Sequence, residues 1–282
     1  MTIISDSDAT LELQRILPQH QSAITLLNTT LQNPQVRQIT WLDLACGKGQ
    51  IISQLKENLS DENRKKIVYD GYDINVGFTK VASRIAGNLD FKDYNFNHGD
   101  LSKFTNILEP SQKFDFITCT NVAHELHPNC FVTLVIESLK RLSDIGQLFI
   151  YDMESLINPE LGALPLKGNE IKDLLNIIFE CVGSQYKVHP SVWIHKTCRG
   201  WSVVINRPHL NVCNGVFDDK KEEITNRVKD KISNILEIRF NECCELLNTF
   251  TIYGADTAED EQLKLAALYE FWAISNAKEE IK

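Results

Sequence analysis

Apolar positions along the chain fall into two periods. Short apolar runs occur at Ile39–Ala45, Ile67–Tyr72, Tyr94–His98, Phe114–Cys119 and Gln147–Tyr151. Their length and their β-branched and aromatic content predict buried strands. Between them, Gln50–Asn58, Val76–Gly87 and Cys130–Leu142 read as helices, and Ser102–Leu108 can form at most a short one. Strand–helix–strand order repeated in this way predicts a parallel sheet with helices on both faces.

The flanks read differently. Residues 9–31 carry Leu11, Leu13, Ile16, Leu17, Ile24, Leu27 and Leu31 as the apolar positions of a helix that Pro18 kinks or restarts. A helix is expected over 169–181, capped by Asn169. Tyr186–Ile194 and Gly200–Asn206 flank a short connection and predict an antiparallel hairpin. Residues 209–217 read as a linker. Two long helices follow, with Phe250–Thr257 as the turn between them. The expected organisation is an N-terminal helical segment (1–38), an α/β domain (39–208) and a C-terminal helical extension (209–282), through which a homodimer could form.

Composition narrows the class. A 43% hydrophobic fraction over 282 residues supports a sizeable core. No run of 18 apolar residues occurs, so no membrane span is expected. The N-terminus lacks a basic segment followed by an apolar one, so a cytoplasmic protein is expected. The eight cysteines are irregularly spaced without a Cys-x-x-Cys, which predicts neither a disulfide framework nor structural zinc. Net charge is −9, and residues 218–282 carry nine Lys/Arg against fifteen Asp/Glu. Such a balance disfavours a nucleic-acid partner.

The sharpest local signal is Trp41–Gly49, WLDLACGKG. A buried strand ends in two glycines, and a helix starts near Gln50. Backbone N–H groups then gather at a helix N-terminus, where an anionic ligand group is favoured. A dinucleotide turn would want a third small residue at position 52, which is Ile52. Asp73 ends the second run, where a carboxylate can accept both hydroxyls of a ribose or simply cap the next helix. Asp100, in His98-Gly-Asp-Leu101, closes the third run.

These residues resemble motif I and its downstream partners in class I S-adenosylmethionine-dependent methyltransferases, over about residues 39–151. The resemblance implies a seven-stranded, doubly wound Rossmann-like α/β sheet and S-adenosyl-L-methionine as cofactor. Asp43 would help hold the amino end of its methionine part, with Ala45, Cys46, Gly47 and Gly49 making room. Asp73 and Ile74 would meet the ribose. Asp100 and Leu101 would meet the adenine. Asn121, in the segment resembling motif IV, would approach the methyl donor or acceptor.

Chemistry is expected behind Asn121. His124 and Glu125 are candidates for a catalytic base or an acceptor ligand, since histidine titrates near neutrality. The alternative is a short helix whose histidines cap and pack. His124-x-x-His127 misses the spacing of a His-Glu-x-x-His site, and no metal is expected. Asp152 and Glu154 could bind an amine or a metal, or cap the next segment. Ser155–Lys167 is irregular and could cover the substrate. The hairpin holds Lys187, Lys196, Arg199 and Arg207 with Trp193 and Trp201, which suits an anionic acceptor or a charged sheet edge. The leading expectation is methyl transfer to a small-molecule or protein acceptor. RNA methylation, and a non-catalytic cofactor-binding domain acting through a protein partner, are the alternatives.

Overall fold

A computed structural model describes residues 18–106, 109, 111–156, 160–195 and 198–281. Helix α1 (Pro18–Leu31) precedes β1 (Ile39–Leu44). The expected helix over 9–31 is present from Pro18, and its first part lies outside the described residues. The segment after β1 forms two single-turn helices, α2 (Gln50–Ser53) and α3 (Leu55–Asn58), with α4 (Asp61–Arg64) behind them. Then come β2 (Ile67–Asp73), α5 (Val76–Ala86), β3 (Asp93–His98), 3-10 turns over Leu101–Asn106, and β4 (Phe114–Thr120). A 3-10 turn (Ala123–Glu125) leads into α6 (Pro128–Arg141), β5 (Leu142–Met153) and α7 (Gly168–Cys181). The hairpin β6 (Ser191–His195) and β7 (Cys198–Asn206) completes the sheet. Short helices α8 (Arg207–Leu210) and α9 (Asn214–Asp219) occupy the expected linker. The long helices α10 (Lys221–Tyr253) and α11 (Ala258–Ile281) follow.

The seven strands order as β3-β2-β1-β4-β5-β7-β6. The first five are mutually parallel, and β7 runs antiparallel to β5 and to β6. Chain order therefore reverses between β1 and β4. Ligands of open α/β sheets bind in the crevice outside the carboxyl ends of the strands at such a reversal.

Alternation along the central strands builds two cores. Trp41, Tyr69, Phe116 and Phe149 face α1, α2 and α3. Leu42, Leu44, Ile117, Leu148 and Ile150 face the other way, onto α6 and α7. Successive strand side chains point to opposite faces, so buried central strands are apolar on both. Trp41 meets Tyr69 edge-on at 5.0 Å and donates its indole N–H to Thr118 Oγ1 at 2.8 Å. The second core continues through Ile224, Val228, Ile232 and Leu236 of α10 into Ile274 of α11. Helix α10 thus buries one apolar stripe against the α/β layer, whereas Leu265, Leu268 and Trp272 of α11 stay about half-exposed. Among the described residues, no helix is long and apolar enough to cross a membrane.

Three boundaries differ from expectation for physical reasons. Helix α7 begins at Gly168 rather than after Asn169, because Glu154 accepts the Gly168 N–H at 2.8 Å and Glu170 reaches back to the Lys167 N–H at 2.7 Å. Strand β6 starts at Ser191 rather than Tyr186. Val188 is buried instead against α7, and its N–H is accepted by Asn176. Strand β5 extends back to Leu142, with an irregular register opposite Phe114–Phe116.

Candidate active site

The site lies at the carboxyl edge of β1, β2, β4 and β5. Between β1 and α2 the chain turns through left-handed conformations at Ala45 (φ 56°), Gly47 (φ 55°) and Gly49 (φ 84°). Left-handed backbone costs an L residue about 1–2 kcal/mol, which explains glycine at two of the three positions. Gly49 has a second reason. A Cβ there would lie 3.2 Å from the Ala82 Cα, so its absence lets α2 approach α5.

Asp73 braces this turn, and Asp43 lies buried in β1 before it. Asp43 is buried in β1, with Thr118 Oγ1 donating to Oδ1 at 2.6 Å and Tyr69 Oη donating to Oδ2 at 2.8 Å. Burial lifts its carboxyl to about 6, against the pull of those two hydroxyls and with Asp73 adding to the rise. Asp73 ends β2 and accepts the Gly47 N–H at 2.9 Å on Oδ2 and the Asn75 N–H at 2.8 Å on Oδ1. Burial raises its carboxyl too, and the two backbone N–H groups hold that rise back. The cap of α5 is Asn75, whose side chain accepts from Gly77 and Phe78. Ile74, 48% exposed, stands at the rim beside Asp73. At the end of β3, Asp100 accepts the Ser102 N–H at 2.8 Å, and Leu101 is buried next to it.

Asn121 follows β4 with φ 56°, and its N–H is accepted by Tyr151 O of β5 at 3.0 Å. Asparagine tolerates this conformation better than most residues. The turn it makes carries the chain into Ala123–Glu125 above the β4–β5 edge. His124 is held there from three sides. Its N–H goes to Asp152 Oδ2 at 2.7 Å, its ring Nδ1 lies 2.6 Å from Asp152 Oδ1, and its carbonyl accepts the Leu164 N–H at 2.7 Å. Asp152 is buried and acts as the acceptor of both, so the imidazole donates Nδ1–H and aims Nε2 outward.

Two carboxylates face that Nε2. Glu125 Oε1 is 3.9 Å away and Glu160 Oε2 is 3.7 Å away, too long for hydrogen bonds. Glu160 Oε2 is itself buried without a hydrogen-bond partner among the described residues. Burial opposes charge on His124, but Asp152, Glu160 and Glu125 outweigh it and push the imidazole up to about 10. Burial also lifts the Glu125 carboxyl to about 7; His124 opposes this, while Glu160, Asp152 and Asp73 add to it. The glycine turn follows β1 and the His124 segment follows β4, and these strands are parallel neighbours, so both stand at the same carboxyl edge of the sheet.

The other candidates divide. His127 turns away, capping α6 through Asn129 N–H and lying 3.4 Å from Ala277 O of α11. Glu154 caps α7 and pairs with Arg199 of β7. In the hairpin, Trp201 is fully buried and donates to Leu166 O at 2.8 Å, while Trp193 is partly exposed on the edge strand. Two members of the cluster carry little signal in the sequence. Asp152 is visible there only as an acid at a strand end. Glu160 sits in an irregular segment with no local signal for its contact to a residue 36 positions earlier.

Comparisons with known proteins agree with this geometry. A family model described as a methyltransferase domain matches residues 36–199, more than half of the chain. No curated protein sequence matches. Among solved structures, the CurJ carbon methyltransferase is similar with TM-score 0.50 and 15% identity, over 67% of this chain and 54% of that one. The magnesium protoporphyrin IX methyltransferase of Synechocystis PCC 6803, with bound SAH, is similar with TM-score 0.48 and 13% identity, over 67% of this chain and 83% of that one. A SAM-dependent methyltransferase from Aquifex aeolicus gives TM-score 0.43 and 20% identity, over 71% and 98%. With the matched residues spanning the glycine turn, Asp73, Asp100 and the β4–β5 edge, the chain belongs to the class I S-adenosylmethionine-dependent methyltransferases.

Proposed function

We propose that this enzyme methylates a small-molecule or protein acceptor that enters the cleft beside His124 and Glu125. The cofactor fits the other half of the cleft. The left-handed turn at Ala45–Gly49 places Gly47 and Gly49, without side chains, where the methionine part would lie, with Asp43 buried in β1 just before it. Asp73 and Ile74 would hold the ribose, Asp100 and Leu101 would line the adenine, and Asn121 would face the reacting end. S-adenosylmethionine supplies a methyl group already activated on a sulfonium. The protein's remaining task is to orient the acceptor and receive its proton.

The observation that carries this reading is the Asp152–His124 pair at the β4–β5 edge. A buried carboxylate fixes the imidazole so that one ring nitrogen and the neighbouring Glu125 face the cleft. The acids around it, Glu125, Glu160 and Asp73, repel a phosphate backbone and favour neutral or cationic acceptors over RNA.

Purified protein, methyl-labelled cofactor and fractionated cell extract test it. Label should enter a product that resists ribonuclease. Glu125→Gln should slow transfer by about 100-fold or more, with affinity for S-adenosylhomocysteine unchanged within about threefold. Cofactor binding without label uptake in any fraction would overturn the reading, as would a Glu125→Gln enzyme that transfers at the wild-type rate.

A further inference from the structure

The ligand atoms of His124, Glu125 and Glu160 all lie within 4.8 Å of one another. We propose that His124 Nε2, Glu125 and Glu160 together hold a first-row divalent metal ion, for which Mn2+ serves as the probe. This adds a metal to a site whose sequence predicts none.

Four observations carry it. The first is the orientation of the imidazole. A histidine that gives Nδ1–H to a carboxylate presents Nε2 to a metal, and that carboxylate–histidine arrangement recurs behind metal-ligating histidines. Asp152 supplies it here at 2.6 Å. The second is an open ligand position. His124 is 6% exposed, yet the groups that face its Nε2 among the described residues are the two carboxylates at 3.7 and 3.9 Å, beyond hydrogen-bond distance. The third is Glu160 Oε2, buried and without a hydrogen bond among the described residues. An unsatisfied buried carboxylate oxygen is costly unless a cation completes it.

The fourth is charge. Asp152, Glu125 and Glu160 converge on a single imidazole, leaving an excess of negative charge that a divalent ion offsets. Geometry agrees with chemistry. Neighbouring ligands on bonds of about 2.1 Å stand about 3 Å apart and opposite ones about 4.2 Å. The observed spacings fall near that range, so sub-ångström shifts close the set. One imidazole with two carboxylates is a mixed nitrogen and oxygen set, which suits a first-row divalent ion, and paramagnetic Mn2+ is the probe that reads it. Glu125 and Glu160 are 18% and 25% exposed, so the cluster opens to the cleft and leaves coordination positions for water or an acceptor oxygen.

What the ion does for the acceptor rests on the methyl-transfer reading; its binding does not. The full-length protein is stripped with EDTA, dialysed and titrated with Mn2+, and free ion is read by electron paramagnetic resonance without cofactor or acceptor. One saturable site per chain is expected. Glu160→Gln and Glu125→Gln should each weaken it by about tenfold or more. S-adenosylhomocysteine binding by both variants reports that they are folded. His124→Ala is avoided because it would leave the buried Asp152 carboxylate without its imidazole partner. Absence of saturable binding below about 1 mM overturns the inference. So does binding that both glutamine variants leave unchanged. Methyl transfer by a chain that binds no Mn2+ would sink the metal alone, and Mn2+ binding without transfer would sink the acceptor reading alone.

Discussion

Asp73 accepts two backbone N–H groups from two different elements, Gly47 of the glycine turn and Asn75 before α5. One short side chain thereby fixes both walls of the cleft, which explains why a carboxylate at this strand end matters before any ligand arrives. Its position was legible in the sequence, because an acid right after an apolar run is conspicuous. Its bond to Gly47 was not, since nothing local records a contact across 26 residues. His20 shows the same limit. It sits on α1 among apolar neighbours, and burial alone lowers its pKa from 6.5 to about 4. Folded protein keeps it neutral, while the unfolded chain takes up a proton below 6.5. Stability from this residue is therefore full above pH 6.5 and falls as pH drops towards 4, by up to about 3 kcal/mol. His20→Leu should remove that component. In urea unfolding, the variant's stability relative to wild type should rise between pH 6.5 and 4.5; parallel curves would contradict it.

At the scale of elements, the segment before α7 links the site to the C-terminal helices. Leu164 donates to the His124 carbonyl, and the next residue, Pro165, accepts from Arg239 Nη1 of α10 at 2.7 Å. Arg239 is buried, pairs with Glu270 of α11 and lies 3.6 Å from Glu170 of α7. Arg239→Met would leave Pro165 O and Glu170 without it. Removing one partner of a buried ion pair costs about 3–5 kcal/mol, and the partial exposure of Glu270 brings the expected loss to about 2–3. Urea denaturation should show that loss, with methyl transfer reduced more than cofactor affinity; a cost below about 0.5 kcal/mol would remove this linkage from the account. The central strands and long helices were legible because each carries a full period of apolar positions; β3, expected to be buried, is an edge strand and stays mostly exposed. The irregular stretch from Ser155 to Lys167 was not legible. Its last residues, Pro165, Leu166 and Lys167, are anchored by Arg239, Trp201 and Glu170, of which only Glu170 is near in sequence.

The whole molecule joins a parallel α/β sheet to a helical pair through one continuous core, from Leu42 and Ile117 through Ile171 and Leu175 to Val228 and Leu236. Motif I and the acids at three strand ends made the family and its cofactor readable, because those signals lie within short segments. The proposed acceptor half draws on β4, β5 and the Glu160 segment, and only folding brings Asp152 and Glu160 to His124. The central claim is that both halves share one cleft. A crystal structure of the protein with S-adenosylhomocysteine tests it most directly. The expected result is the homocysteine part over Ala45–Gly49, the ribose at Asp73 and Ile74, the adenine at Asp100 and Leu101, and the sulfur facing Asn121 and the His124 cluster. A ligand bound away from the β1–β4 reversal, or one whose sulfur points away from His124, would contradict it.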